Sequence, residues 1–200
     1  HEASQWFANP SSGHRLGQKA REVLDDARRR IASALGAEHG DIVLTSGGTE
    51  ANSLALMGLC RAKKSRSHVI TSSIEHASIL KNLKQLEKLD QIDLSVLPVP
   101  RSGRIQPSSV LELLRPNTKL VSIVSVCNET GIYQPIPEIG DRLKNHPAYF
   151  HTDAVQAVGR IPMSVKAWKV DLMSFSGHKF GAVSGVGGLW VKRGLKLNPI

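Results

Sequence analysis

Two residues of complementary chemistry organise this chain: Asp153 in HTDAVQ (His151–Gln156) and Lys179 in SFSGHKFG (Ser174–Gly181). A lysine set among Ser, Gly and His can form a Schiff base with an aldehyde, and a carboxylate can keep a ring nitrogen protonated. An aldehyde cofactor with a basic ring nitrogen and a phosphate tail needs this set. Pyridoxal 5′-phosphate is that cofactor. Taken alone, Asp153 also reads as a helix N-cap after a strand and Lys179 as a surface lysine. The upstream half of the chain weighs against those plainer roles.

Asp41–Thr45 (DIVLT) has the pattern of a short apolar strand, followed by Ser46-Gly47-Gly48-Thr49 and a helical run from Glu50 to about Lys64. Strand, Gly-rich turn and helix N-terminus make an anion site, because free N–H groups and the helix dipole favour negative charge. An ordinary strand-to-helix turn has the same residues, so this motif is weak by itself. His76 follows the strand His68–Thr71, where it can stack on a planar ring or move a proton; a solvated loop histidine is the alternative. Leu120–Val126 (LVSIVSV) reads as a fully buried strand ending at Cys127-Asn128-Glu129-Thr130-Gly131. Asn128 can donate to a phenolate oxygen, and it also suits a plain turn. Several strand ends followed by polar or Gly residues form a pattern, since ligands of open parallel sheets bind outside the carboxyl ends of the strands.

The elements that must position these groups are legible in coarse form. Leu16–Leu35 has Ala20, Val23, Leu24, Ala27, Ile31 and Leu35 at helical spacing, with Gly36 placed to stop it. Ser78–Leu89, Ser108–Leu114 and Pro137–Lys144 read as helices; Asp93–Leu97, Tyr149–Thr152 and Asp171–Phe175 read as strands. Val186–Lys192 follows Lys179 with no room for a crossover helix, so it should pair antiparallel. Alternating strands and helices predict an α/β, three-layer αβα domain with a mostly parallel sheet.

The ordered blocks NPSS (Asn9–Ser12), TSGGTEAN (Thr45–Asn52), EHAS (Glu75–Ser78), NETG (Asn128–Gly131), HTDAVQ and SGHK (Ser176–Lys179) resemble the cysteine desulfurases of the class V aminotransferase group. These are fold type I pyridoxal-phosphate enzymes, and the resemblance runs from Asn9 to the end of the chain. It implies the large-domain fold of that group. It implies that Lys179 is the Schiff-base lysine and the base at Cα, and that Asp153 is the partner of the pyridine nitrogen. His76 would be the catalytic residue stacked on the ring. Asn128 and Gln156 would contact the phenolic oxygen; Gly48, Thr49, Ser176 and His178 would form the phosphate cup. No metal ligand is implied.

Departures from the family pattern accompany the match. The family opens with a strand ahead of NPSS and continues into a second, smaller domain. That domain carries the nucleophilic cysteine on a mobile loop and an arginine for the substrate carboxylate. Residues 1–200 are therefore expected to be the cofactor-binding large domain, cut at both ends, without the small domain. Gly181-Ala182-Val183-Ser184-Gly185 stands where family members carry Pro-Lys before the Gly.

Composition fits a soluble globular chain: 200 residues, 40% hydrophobic, 22% charged. No apolar run approaches the length of a membrane span, and His1–Pro10 lacks a basic-then-apolar leader pattern. Cys60 and Cys127 form no disulfide or metal spacing. Cys60 reads as a core residue. Cys127, beside the proposed pocket, reads as a packing residue rather than a nucleophile. Lys+Arg 26 against Asp+Glu 17 gives +9, with clusters at Arg28–Arg30 and Lys63–Arg66. Aromatics are only 4%, so base stacking has little support and the charge reads as solvated surface, not a nucleic-acid site.

The resemblance implies removal of sulfur from L-cysteine to give L-alanine and an enzyme persulfide for iron–sulfur or thio-cofactor pathways. It further implies a homodimer, a sulfur-acceptor protein as partner, and a cytoplasmic or mitochondrial-matrix location. The alternatives are selenocysteine lyase or another class V lyase or transaminase, and a non-catalytic cofactor-binding or scaffold protein.

Overall fold

The computed structural model describes residues 8–37, 40–61 and 66–199. Among them, seven strands form one sheet: β1 (Asp41–Thr45), β2 (Ser67–Ser72), β3 (Ile92–Leu97), β4 (Thr118–Ser122), β5 (Tyr149–Asp153), β6 (Leu172–Ser176) and β7 (Gly187–Val191), in spatial order β1-β7-β6-β5-β4-β2-β3. Pairs β2/β3, β2/β4, β4/β5 and β5/β6 are parallel. β7 is antiparallel to both β6 and β1, as its short connection from Lys179 requires.

The central strands read as continuous apolar runs because both faces are covered. Alternate residues point to opposite faces. Val69, Leu120 and Leu172 pack under α2 (Gly48–Cys60) and α3 (Ala77–Lys88), against Leu56, Leu59, Ile79 and Leu83. Their neighbours Ile70, Val121 and Met173 face the other way, with Phe150 and Trp190. That second layer holds α1 (Arg15–Ala34), α4 (Pro107–Glu112), α5 (Ile136–Leu143) and the short α6 (Val165–Trp168). The three-layer αβα architecture expected from the sequence is the one observed.

Two buried histidines satisfy hydroxyls across the sheet. His151 lies 2.9 Å from both Ser122 Oγ on β4 and Ser174 Oγ on β6. His68 lies 2.7 Å from Thr118 Oγ1 and 2.9 Å from Ser95 Oγ. α1 stops where expected, with Gly36 at φ 64, a conformation open to glycine.

Three local expectations shift. The strand read over Leu120–Val126 ends at Ser122. Beyond it the Ile123 and Ser125 N–H groups still donate to His151 and Asp153 carbonyls, but Val126 bridges Tyr133 and turns the chain away. The helix read from Glu50 to about Lys64 begins earlier, at Gly48, and its helical span closes at Cys60; Lys63, Lys64 and Ser65 lie outside the described residues. α6 was not legible as a helix at four residues long. In α1 the arginine cluster is neutralised locally: Arg28 pairs with Asp25, and Arg29 and Arg30 with Asp26. Such exposed pairs are solvated surface. Among the described residues no helix is long and apolar enough to cross a membrane.

Candidate active site

The carboxyl ends of β1, β2, β4, β5 and β6 converge on one cavity of about 240 Å³. All nine positions singled out in the sequence line it: Gly48, Thr49, His76, Asn128, Asp153, Gln156, Ser176, His178 and Lys179. A larger cavity of about 590 Å³ lies at the opposite end of the strands, by the starts of β5 and β6 near Tyr149 and Lys192, and none of the nine lines it.

Asp153 ends β5 and is 4% exposed. Its Oδ1 accepts from the Val155 N–H at 3.0 Å and its Oδ2 from Asn52 Nδ2 at 2.7 Å. Both donors are neutral, and no cation is paired with it among the described residues. Burial pushes the carboxyl above its usual range, against the downward pull of Val155, Asn52 and nearby His76. A buried carboxylate of this kind is complementary to a cationic N–H delivered by a ligand.

α2 begins at the cavity. Its N-cap is Gly47, and among the described residues no side chain caps its first turn. The turn before it is tied by Glu50, whose carboxylate accepts from the Ser46 N–H at 2.7 Å and the Ser46 hydroxyl at 2.6 Å. The uncapped end leaves backbone N–H groups facing the cavity, as an anion requires. Ser176 Oγ and His178 Nδ1, 3.1 Å apart, face the same end.

His76 is not a freely solvated loop side chain. It is the N-cap of α3: its Nδ1 accepts from the Ser78 N–H at 3.1 Å. That bond makes Nδ1 an acceptor, so the neutral ring carries its hydrogen on Nε2. The adjoining Glu75 is buried behind it, where Oε1 accepts from the Ser72 hydroxyl and from the Val124 N–H at 2.8 Å.

Lys179 sits in a 3-10 turn, Gly177–Phe180, directly after β6. Its Nζ has no partner among the described residues. Arg160 holds the turn: Nε and Nη2 donate to the Lys179 carbonyl at 3.1 and 2.8 Å, and Nη1 donates to Gln156 Oε1 at 2.9 Å. Cys127 is buried, 3% exposed, and does not line the cavity, in keeping with a packing role.

Sequence reasoning assigned no role to Asn52, Ser78 or Arg160. Asn52 and Ser78 lie inside the TSGGTEAN and EHAS blocks, on segments read only as helical. Arg160 follows Gln156 by four positions, a spacing that places side chains together in helical backbone.

The uncapped helix end, the buried carboxylate without a cation and the unpaired lysine match the three reactive parts of pyridoxal 5′-phosphate: phosphate, ring nitrogen and aldehyde. The family model described as Aminotransferase class-V matches residues 1–199. "Cysteine desulfurase IscS" of Dictyoglomus turgidum is 43% identical over 195 residues, covering 97% of this chain and 49% of that protein. The human "Cysteine desulfurase" is 41% identical over 190 residues, covering 94% of this chain and 41% of its own length. The solved structure "SspA in complex with cysteine" superposes with a TM-score of 0.93 at 40% identity, covering 98% of this chain and 57% of that one. The chain thus spans about half the length of the curated relatives it matches.

Proposed function

The chain belongs to the class V aminotransferase family, and on that premise we propose that it is the cofactor-binding part of a pyridoxal-phosphate-dependent cysteine desulfurase. The reaction takes sulfur from L-cysteine, leaving L-alanine and a persulfide on an enzyme cysteine. One observation carries this reading: nine positions named from sequence blocks far apart in the chain all line the same cavity. The relatives' names supply the reaction.

When bound, the cofactor supplies a protonated pyridine ring that accepts the electron pair left as the substrate Cα loses its proton. This chain's residues bind and orient. Asp153 keeps the proton on the ring nitrogen. Gly48, Thr49, Ser176 and His178 take the phosphate. His76, held through Nδ1 at the start of α3, would cover the ring face. Asn128 and Gln156 contact the phenolic oxygen; because Gln156 Oε1 already accepts from Arg160, its amide N–H₂ is the group it offers. Lys179 Nζ would hold the aldehyde end of the cofactor and would be the group that takes the substrate Cα proton. In this reading the nucleophilic cysteine and the carboxylate-binding arginine belong to a further domain, and the enzyme is a homodimer that passes sulfur to an acceptor protein.

The test is chemical. The full-length protein should be yellow with cofactor and, after borohydride reduction, carry the cofactor mass on the Lys179 peptide. Lys179→Ala should lose that adduct, and Asp153→Asn should keep it while turnover falls by orders of magnitude. A reducible adduct on another lysine, or near-normal turnover in Asp153→Asn, would overturn the assignments.

A further inference from the structure

Asn52, in α2, is 1% exposed and spends its amide on two residues of the cavity wall. Nδ2 donates to Asp153 Oδ2 at 2.7 Å and to Ser78 Oγ at 2.9 Å. Ser78 Oγ lies 2.7 Å from His76 Nδ1. The direction of every link follows. A carboxylate only accepts, so the Asn52 nitrogen, not its oxygen, faces Asp153. The Ser78 hydroxyl takes the second Asn52 hydrogen on a lone pair. Its own single hydrogen then goes to His76 Nδ1, which already accepts from the Ser78 N–H. Asp153 on β5, Asn52 on α2, and Ser78 and His76 at the start of α3 form one continuous chain of hydrogen bonds.

The other end of the amide shows what the arrangement forgoes. Asn52 Oδ1 is buried and has no partner among the described residues. Buried polar atoms are nearly always satisfied, and unsatisfied ones concentrate where a local rule yields to function. A residue present for packing alone would not orphan its oxygen to aim both hydrogens at these two neighbours.

We propose that Asn52 is a positioning residue that joins Asp153 and His76 into one hydrogen-bonded unit, setting the carboxylate at the ring-nitrogen end and the imidazole at the ring face together. The proposal rests on reading the cavity as the pyridoxal-phosphate site. It gives each substitution a distinct consequence. Asn52→Leu removes both donors at similar size. Asn52→Asp places an oxygen against Asp153 Oδ2, so a proton must sit between the two carboxyls. It also draws the Ser78 hydroxyl away from His76. Ser78→Ala cuts only the link to His76 and leaves the Asn52–Asp153 bond.

The experiment uses the full-length protein and two measurements. In the cofactor-free protein, carboxyl-carbon NMR follows the titration of Asp153 and nitrogen NMR follows His76. Glu75 and His76 in the β2–α3 turn and His178 and Lys179 after β6, the other titratable groups around Asp153, are unchanged in all three variants. Asn52→Leu and Asn52→Asp should move the Asp153 titration upward by about one pH unit or more, a tenfold change in proton affinity. Ser78→Ala should leave Asp153 in place and alter the His76 Nδ1 signal. With cofactor, borohydride should still mark Lys179, and the pH dependence of the cofactor absorbance should shift in the Asn52 variants. A structural role alone would lower the melting temperature without moving the Asp153 titration or the His76 Nδ1 signal. An Asp153 titration superimposable on wild type in Asn52→Asp, with Lys179 still marked, overturns the positioning role alone. So does an unaltered His76 signal in Ser78→Ala, should the Asn52 variants not fold. Failure of the wild-type protein to mark Lys179 overturns the cofactor reading and the positioning role with it.

Discussion

Arg160 grips Lys179 by its backbone, two guanidinium nitrogens converging on the Lys179 carbonyl at 3.1 and 2.8 Å. The third bond goes to Gln156 Oε1, so one exposed side chain sets both the turn that presents Nζ and the face of the Gln156 amide. Arg160→Met should weaken pyridoxal-phosphate binding by about tenfold, since hydrogen bonds from a charged group contribute ~1.5–3 kcal/mol, less when exposed. Arg160→Lys should recover only part, because an ammonium lacks the planar fork. Absorbance titration with the cofactor measures both. Unchanged affinity in Arg160→Met would show that the turn holds itself.

Glu75 makes the cofactor-free protein sensitive to alkali. Burial pushes its carboxyl from 4.5 to about 8, with Asp153 and Cys127 adding to the rise and donors from Ser72 and Val124 opposing it. A folded-state value above the unfolded one favours the protonated, folded form. That stability is complete below about pH 4.5 and is lost as pH rises towards 8. Glu75→Gln removes this titration, so the loss with rising pH that Glu75 causes should be missing from the variant's urea midpoints. Gln places an N–H₂, one hydrogen more than protonated Glu75 carries, where Oε2 has no partner among the described residues, costing ~1–3 kcal/mol at pH 5. The gap to wild type should therefore shrink by pH 8; a constant gap would mean that Glu75 does not change charge there.

What could be read in advance divides along sequence distance. Asp153 and Lys179 were legible because each sits in a local block at a strand end, and strand ends are where such sheets bind ligands. The β6–β7 antiparallel turn followed from its short connection alone. Asn52 was not legible, because its meaning lies in Asp153, which is remote in sequence and meets it only when α2 packs over β5. His76 was placed at the site, but its fixed orientation depends on Ser78 capping geometry that spacing does not reveal. The premature end of β4 was hidden because Ile123–Val126 stays buried and partly hydrogen-bonded to β5 beyond Ser122, so hydrophobicity continues past the strand.

His151 should impose the opposite pH dependence from Glu75. Burial lowers it from 6.5 to about 3, as expected of an imidazole held neutral between two serines. A depressed folded value means the stability is present above about pH 6.5 and is lost as pH falls towards 3. His151→Phe removes this titration but strands the Ser122 and Ser174 hydroxyls, at ~1–3 kcal/mol for each one left unsatisfied. The variant should be clearly less stable than wild type at pH 7, and the difference should narrow by pH 4. Parallel pH–stability curves for the two proteins would locate the acid sensitivity elsewhere.

Gly187 fixes how closely β7 approaches the Gly47 turn at the start of α2. A Cβ there would lie 2.6 Å from both Gly47 C and Gly47 Cα, and 2.9 Å from the Phe175 carbonyl oxygen. All three are backbone atoms, which cannot swing aside. β7 is itself pinned, with Gly187 in register with Thr45 on one side and Ser176 on the other. Gly187→Ala must therefore displace the Gly47 turn, carrying the first N–H groups of α2 with it, besides the ~1–3 kcal/mol typical of overpacking. Gly188→Ala is the control. Its Cβ would meet the Phe175 ring, which lies on β6 and outside the cavity lining. Both variants should lose stability. Only Gly187→Ala should also lose affinity for the cofactor phosphate, read as weaker protection by inorganic phosphate against cofactor loading. Equal phosphate affinity in the two would mean that the turn keeps its place without the glycine contact.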